Sequence, residues 1–143
     1  MTKKLAVDGT QFRCVEREWT DPLVYTNALF MLSASIAFSR KLYLFAFVQL
    51  LLFAFSTVYH KSHERTCSYV DLATAYVAIG IVVGTTLMNK PSVHVMAVMV
   101  SLGVLTLLFK YMDNYYYSVS HSWFHMLAGT LSIFYATFGE KFL

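Results

Sequence analysis

Five side chains in this sequence have the types and spacing to do hydrolytic chemistry on a metal ion. Ser56 and His60 are four residues apart, as are His121 and His125, so on a helix each pair lies one above the other on a single face. Asp71 stands in an otherwise uncharged apolar run, and an ionisable residue inside a membrane-length segment marks a functional site by default. Three neutral imidazoles, from His60, His121 and His125, match the open three-ligand set of catalytic zinc, with the fourth position left for water. Zinc lowers the pKa of such a water to about 7, Asp71 can take its proton, and the Ser56 hydroxyl can hydrogen-bond the water or a developing oxyanion. Taken singly, each element has a plainer reading. An isolated H-x-x-x-H pair at a membrane interface is commonly a solvated pair, and an isolated helical serine commonly bonds back to its own backbone. The convergence of all five is what points to a site.

The elements that must position these residues follow from composition. With 57% hydrophobic residues, 13% charged residues and a mean hydropathy of +0.54, the 143-residue chain reads as a polytopic membrane protein, an all-α bundle of transmembrane helices. The net charge of +3 is dispersed among the connections with no basic run, which excludes a nucleic-acid partner. Two cysteines, Cys14 and Cys67, have neither disulfide-framework nor zinc-finger spacing. Residues 1–21 form a polar N-terminal segment, and residues 22–143 one transmembrane domain. Within it the spans fall at about 22–38, 42–59, 68–87, 92–109 and 121–138. Asp21 is an N-cap for a helix beginning at Pro22.

If five spans alternate in direction, the connections at 60–67 and 110–120 lie on the same side as the N-terminal segment. Ser56, His60, Asp71, His121 and His125 then gather at that one side, although the spans were drawn from hydropathy alone. His63 is a substitute ligand if its helix continues, His94 is excluded because it begins a span on the opposite side, and Tyr115 to Tyr117 read as an interfacial aromatic belt. More Lys and Arg flank the site side than the other, which puts the site and the N-terminus in the cytosol.

At these positions the sequence resembles the CREST superfamily of membrane proteins, which includes alkaline ceramidases, adiponectin and progestin receptors, GPI-lipid remodelling proteins and myomaker-like proteins. The shared pattern is a serine and a histidine at the end of the second helix, an aspartate near the start of the third, and H-x-x-x-H on the last. Here these are Ser56 with His60, Asp71, and His121 with His125. Family members usually have seven helices, so the five counted here depart from the pattern by two between the third and the last. A second copy of the chain could supply the missing wall. The resemblance implies a zinc-dependent hydrolase of a lipid amide or ester, with ceramide or a related lipid as leading substrate, Asp71 and Ser56 as catalytic residues, and His60, His121 and His125 as metal ligands. Two alternatives stay open: a receptor-like or fusion-related protein in which zinc only staples helices, and bis-histidine haem b joining His60 to His121 or His125.

Overall fold

Helix formation starts where the sequence expects it. The Asp21 side chain accepts a hydrogen bond from the Leu23 backbone amide at 2.8 Å, and Pro22 occupies the first helical position, where its missing N–H costs nothing. The computed structural model describes residues 17–62, 65–89 and 91–138, apart from the side chains of residues 62, 65–68, 114, 116 and 118. Cys14 and His63 lie outside the described residues, as does the Cys67 side chain. Five helices follow one another: α1 (Pro22–Tyr25), α2 (Ala28–Ser39), α3 (Tyr43–Ser62), α4 (Arg65–Asn89) and α5 (Val93–Phe138). Among the described residues there is no strand, so the chain is an all-α helical bundle.

Between α2 and α3 the chain reverses over Arg40 to Leu42. The Leu42 amide bonds back to the Ala37 carbonyl at 2.9 Å and the Lys41 amide to Phe38 at 3.0 Å, with Lys41 in the left-handed region at φ 63°. This closure makes α2 and α3 antiparallel neighbours. Ala37 packs with Phe45 and Ala46, and Phe30 packs with Val48 and Leu52.

The helices run past the bounds expected from hydropathy. The polar connection expected at 60–67 is mostly helical, with α3 continuing to Ser62 and α4 already under way at Arg65. The tract holds no glycine or proline and the helices extend into it from both sides, so Asp71 sits nearly two turns inside α4 rather than one.

The 46-residue α5 is longer than any single span, and its contacts show that it doubles back. The rings of Phe109 and Trp123 stack at 5.9 Å, whereas a straight helix would separate their backbones by about 21 Å along the axis. On α4, Thr85 bonds the Tyr135 hydroxyl at 2.9 Å while its neighbour Thr86 meets the Met99 sulfur at 3.9 Å. In a straight helix Met99 and Tyr135 would lie about 54 Å apart. A first arm, residues 93–113, therefore runs one way and a second arm, residues 120–138, returns. The polar tract 110–120 is the place of reversal, although it retains helical backbone. Four segments, Pro22–Ser39, Tyr43–Lys61, Tyr69–Asn89 and Val93–Asp113, are long and apolar enough to cross a membrane. Exposed Leu72, Val83 and Leu87 on α4, with Val100, Val104 and Leu107 on the first arm, give the bundle an outer surface suited to lipid.

Inside lie two apolar clusters that share Ile81 as a neighbour. One cluster holds Ala37, Phe45, Met99 and Tyr135, the other Phe30, Val48, Leu52 and Ala78. Ser33, Gln49 and Ser132 are buried polar residues on the helices that carry these clusters. Gln49, Ser56 and His60 share one stripe of α3, so Gln49 lies about 10 Å below Ser56 along the helix.

Candidate metal centre

His60, His121 and His125 meet in the bundle. All three are buried, with 1%, 5% and 2% of their surfaces exposed, and one ring nitrogen from each lies within 4.8 Å of the others. Ring centroids are 5.0 Å apart for His60 and His121, 4.9 Å for His60 and His125, and 4.7 Å for His121 and His125. Three helical segments converge to make this cluster: α3 supplies His60, the second arm of α5 supplies the other two, and α1 closes over them.

The outer ring nitrogens are held. His121 Nδ1 lies 2.6 Å from Asp113 Oδ2. Asp113 is itself 2% exposed and also accepts from Ser120 Oγ at 2.9 Å and Lys110 Nζ at 3.0 Å. A carboxylate surrounded by donors fixes the proton on His121 Nδ1 and leaves the Nε2 lone pair for a cation. His125 Nδ1 lies 3.5 Å from Thr26 Oγ1, whose own proton goes to the Pro22 carbonyl at 2.5 Å. The threonine oxygen can then only accept, which suits a proton on His125 Nδ1 and would leave Nε2 for a cation. A tetrahedral zinc with Zn–N near 2.1 Å needs nitrogens about 3.4 Å apart, and small ring movements reach that from the present spacing. The three histidines could therefore hold a metal ion.

Around the histidines the remaining expected residues fall as follows. Ser56 is buried one turn below His60, and its side chain hydrogen-bonds Asp71, which is partly buried near the start of α4. Ser56, His60, Asp71, His121 and His125 thus belong to one end of the bundle, and exposed His94 begins α5 at the other. Tyr117 departs from the belt expected at 115–117. It is buried and stacks on His121 at 4.7 Å, because it precedes that histidine by one helical turn. Tyr115 stays exposed. Residues 17–21 also do more than solvate the chain end: Arg17 is buried, lies 6.0 Å over the Tyr117 ring, and bonds the Lys61 carbonyl through its amide at 3.4 Å.

Asp113, Thr26, Lys110 and Ser120 are the site residues that sequence reasoning missed. Thr26 and Asn27 form a polar pair in an apolar span, a signal that was present. Asp113 gave none, because it is eight residues from His121 and reaches it only through the reversal of α5. Beside the centre, Asn27 Oδ1 and Thr57 Oγ1 are buried with no hydrogen-bond partner among the described residues. Asn27 Nδ2 donates to the Leu23 carbonyl at 3.3 Å, which leaves the amide oxygen as a fixed acceptor.

No protein family model, no curated protein and no solved structure matches this chain.

The approach of the second arm to α2 depends on Gly129, one turn beyond His125. A Cβ added there would stand 2.5 Å from Leu29 Cβ, an atom close to the α2 backbone that cannot swing aside. Gly129→Ala is expected to destabilise the protein by about 1–3 kcal/mol and, by displacing His125, to weaken the hold of the three histidines on a metal ion. Thermal unfolding in detergent and a chelator-competition titration of the variant beside wild type measure the two effects.

Proposed function

We propose that this chain is an integral membrane, zinc-dependent hydrolase of a lipid amide or ester, with a ceramide-like substrate favoured. The observation that carries the reading is the buried His60, His121 and His125 cluster, with Nε2 of His121 and His125 left available by Asp113 and Thr26 and a carboxylate, Asp71, at the same end. The resemblance of Ser56, His60, Asp71, His121 and His125 to the CREST pattern supports it. So do the unmatched polar atoms of Asn27 and Thr57, which suit the amide and hydroxyl groups of a lipid.

When bound, zinc polarises the scissile carbonyl and makes water a competent nucleophile near neutral pH. Asp71 takes a proton from that water as the oxygen adds to the carbonyl carbon. It returns the proton to the departing nitrogen or oxygen as the C–N or C–O bond breaks, so that a fatty acid and an amine or alcohol leave. Ser56 donates to Asp71 and holds the carboxylate in place for both transfers. The basic residues flanking this end orient the site toward the cytosol. Incubating the detergent-purified protein with a panel of N-acyl and O-acyl lipids, and measuring free fatty acid, tests the reading. Release by wild type supports it, and no release from any of them would remove the enzymatic role.

A second reading draws on the position of the ligands. They join α3 to the second arm of α5, so zinc there would staple the bundle of a non-enzymatic CREST-type protein. That reading predicts zinc without turnover and no effect of Asp71→Asn.

A further inference from the structure

We infer that Asp113 is a positioning residue for the metal centre, acting from the first arm of α5 on a ligand carried by the second. The inference rests on the zinc reading of the three histidines and adds to it a residue outside that ligand set. Asp113 is almost fully buried, at 2% exposure, in the polar tract where α5 reverses. An unpaired carboxylate in such a place is costly, and its two oxygens are used fully. Oδ1 accepts from Ser120 at 2.9 Å, and Oδ2 accepts from His121 at 2.6 Å and from Lys110 at 3.0 Å. Each of these bonds has a separate consequence for the metal.

The bond to His121 selects the tautomer and fixes the plane of the ring. The tautomer matters because only a deprotonated Nε2 can take a cation, and the fixed plane matters because a freely turning imidazole would lose rotamer entropy on binding. Tyr117, stacked on the other side at 4.7 Å, limits the same rotation. The bond to Ser120 holds Asp113 across the reversal, next to the ligand it orients. Lys110 balances the buried charge, and its ammonium lies 5.1 Å over the Phe124 ring of the returning arm. Closing the two arms of α5 and preparing His121 for metal are therefore one event. A straight α5 would carry Asp113 about 12 Å along the axis from His121, out of contact. Metal on His121 consequently favours the closed hairpin, and the hairpin favours metal.

Zinc affinity measured by chelator competition on the full chain in detergent tests this, with Asp113→Ala, the isosteric Asp113→Asn and wild type compared. Asp113→Ala is expected to weaken zinc binding by about 10- to 100-fold, the range typical of lost outer partners of a ligating histidine. Asp113→Asn keeps an oxygen acceptor but no charge and should fall between Asp113→Ala and wild type. If the alanine variant fails to fold, the asparagine variant alone decides. A second readout separates positioning from general support. Hydrogen exchange across 110–121 should slow on adding zinc to wild type and respond much less in either variant. The visible spectrum of the cobalt-loaded protein should also shift in band position between wild type and Asp113→Asn, because the ligand field follows ring orientation. Wild-type zinc affinity in both variants would overturn the role of Asp113 while leaving the three-histidine centre intact. Absence of zinc binding in wild type itself would overturn both.

Discussion

Replacing Asp71 by asparagine should leave zinc bound at the wild-type level and lower lipid hydrolysis by about 10²- to 10⁴-fold, the usual contribution of a general acid and base. The residue sits nearly two turns inside α4, partly buried, against the Ser56 hydroxyl. An asparagine there preserves the volume and the hydrogen bond to Ser56 but can neither take a proton from water nor give one to a leaving group. Ser56→Ala should cost less, because it removes only the donor that holds the carboxylate. The measurement is fatty acid release under single-turnover conditions, with zinc content determined on the same preparations. Full activity in Asp71→Asn would remove the proposed base and return the centre to a structural role.

His121→Ala combined with His125→Ala should abolish zinc binding and lower the thermal midpoint at least as far as a chelator lowers that of wild type. The two substitutions take away two of three ligands and leave Asp113 and Thr26 without the rings they hold. Because a metal held by the three histidines would join α3 to the second arm, its binding energy would be in part the energy that closes the bundle. Unfolding curves with and without added zinc separate the contributions. Wild type should gain stability with zinc and the double variant should gain none. A double variant still stabilised by zinc would mean that the ion binds elsewhere.

Much of this arrangement was legible in the sequence because the physical signals were local. Uncharged runs long enough to span a bilayer set the helices, and Asp21 with Pro22 set the start of the first. Four-residue spacing put Ser56 beneath His60 and His125 beneath His121, and alternation of direction brought both pairs to one end. The shape of the polar connections was not legible. Residues 60–67 and 110–120 look like loops by hydropathy, yet they lack glycine and proline, and helical hydrogen bonds form in polar sequence as readily as in apolar sequence. The outer partners of the histidines were hidden for a related reason. Thr26 and Asp113 reach His125 and His121 through tertiary packing and through the reversal of α5, and neither stands at a helical spacing from the residue it holds. Tyr117 shares an aromatic run with exposed Tyr115, yet its one-turn offset from His121 places it in the core.

The most direct test of the central claim is the metal content of wild-type protein purified in detergent without chelator, determined by elemental analysis beside the His121→Ala/His125→Ala variant. The account predicts about one zinc per chain in wild type and none above background in the variant. Freshly prepared, folded wild-type protein that carries no zinc and takes up none on titration would contradict it.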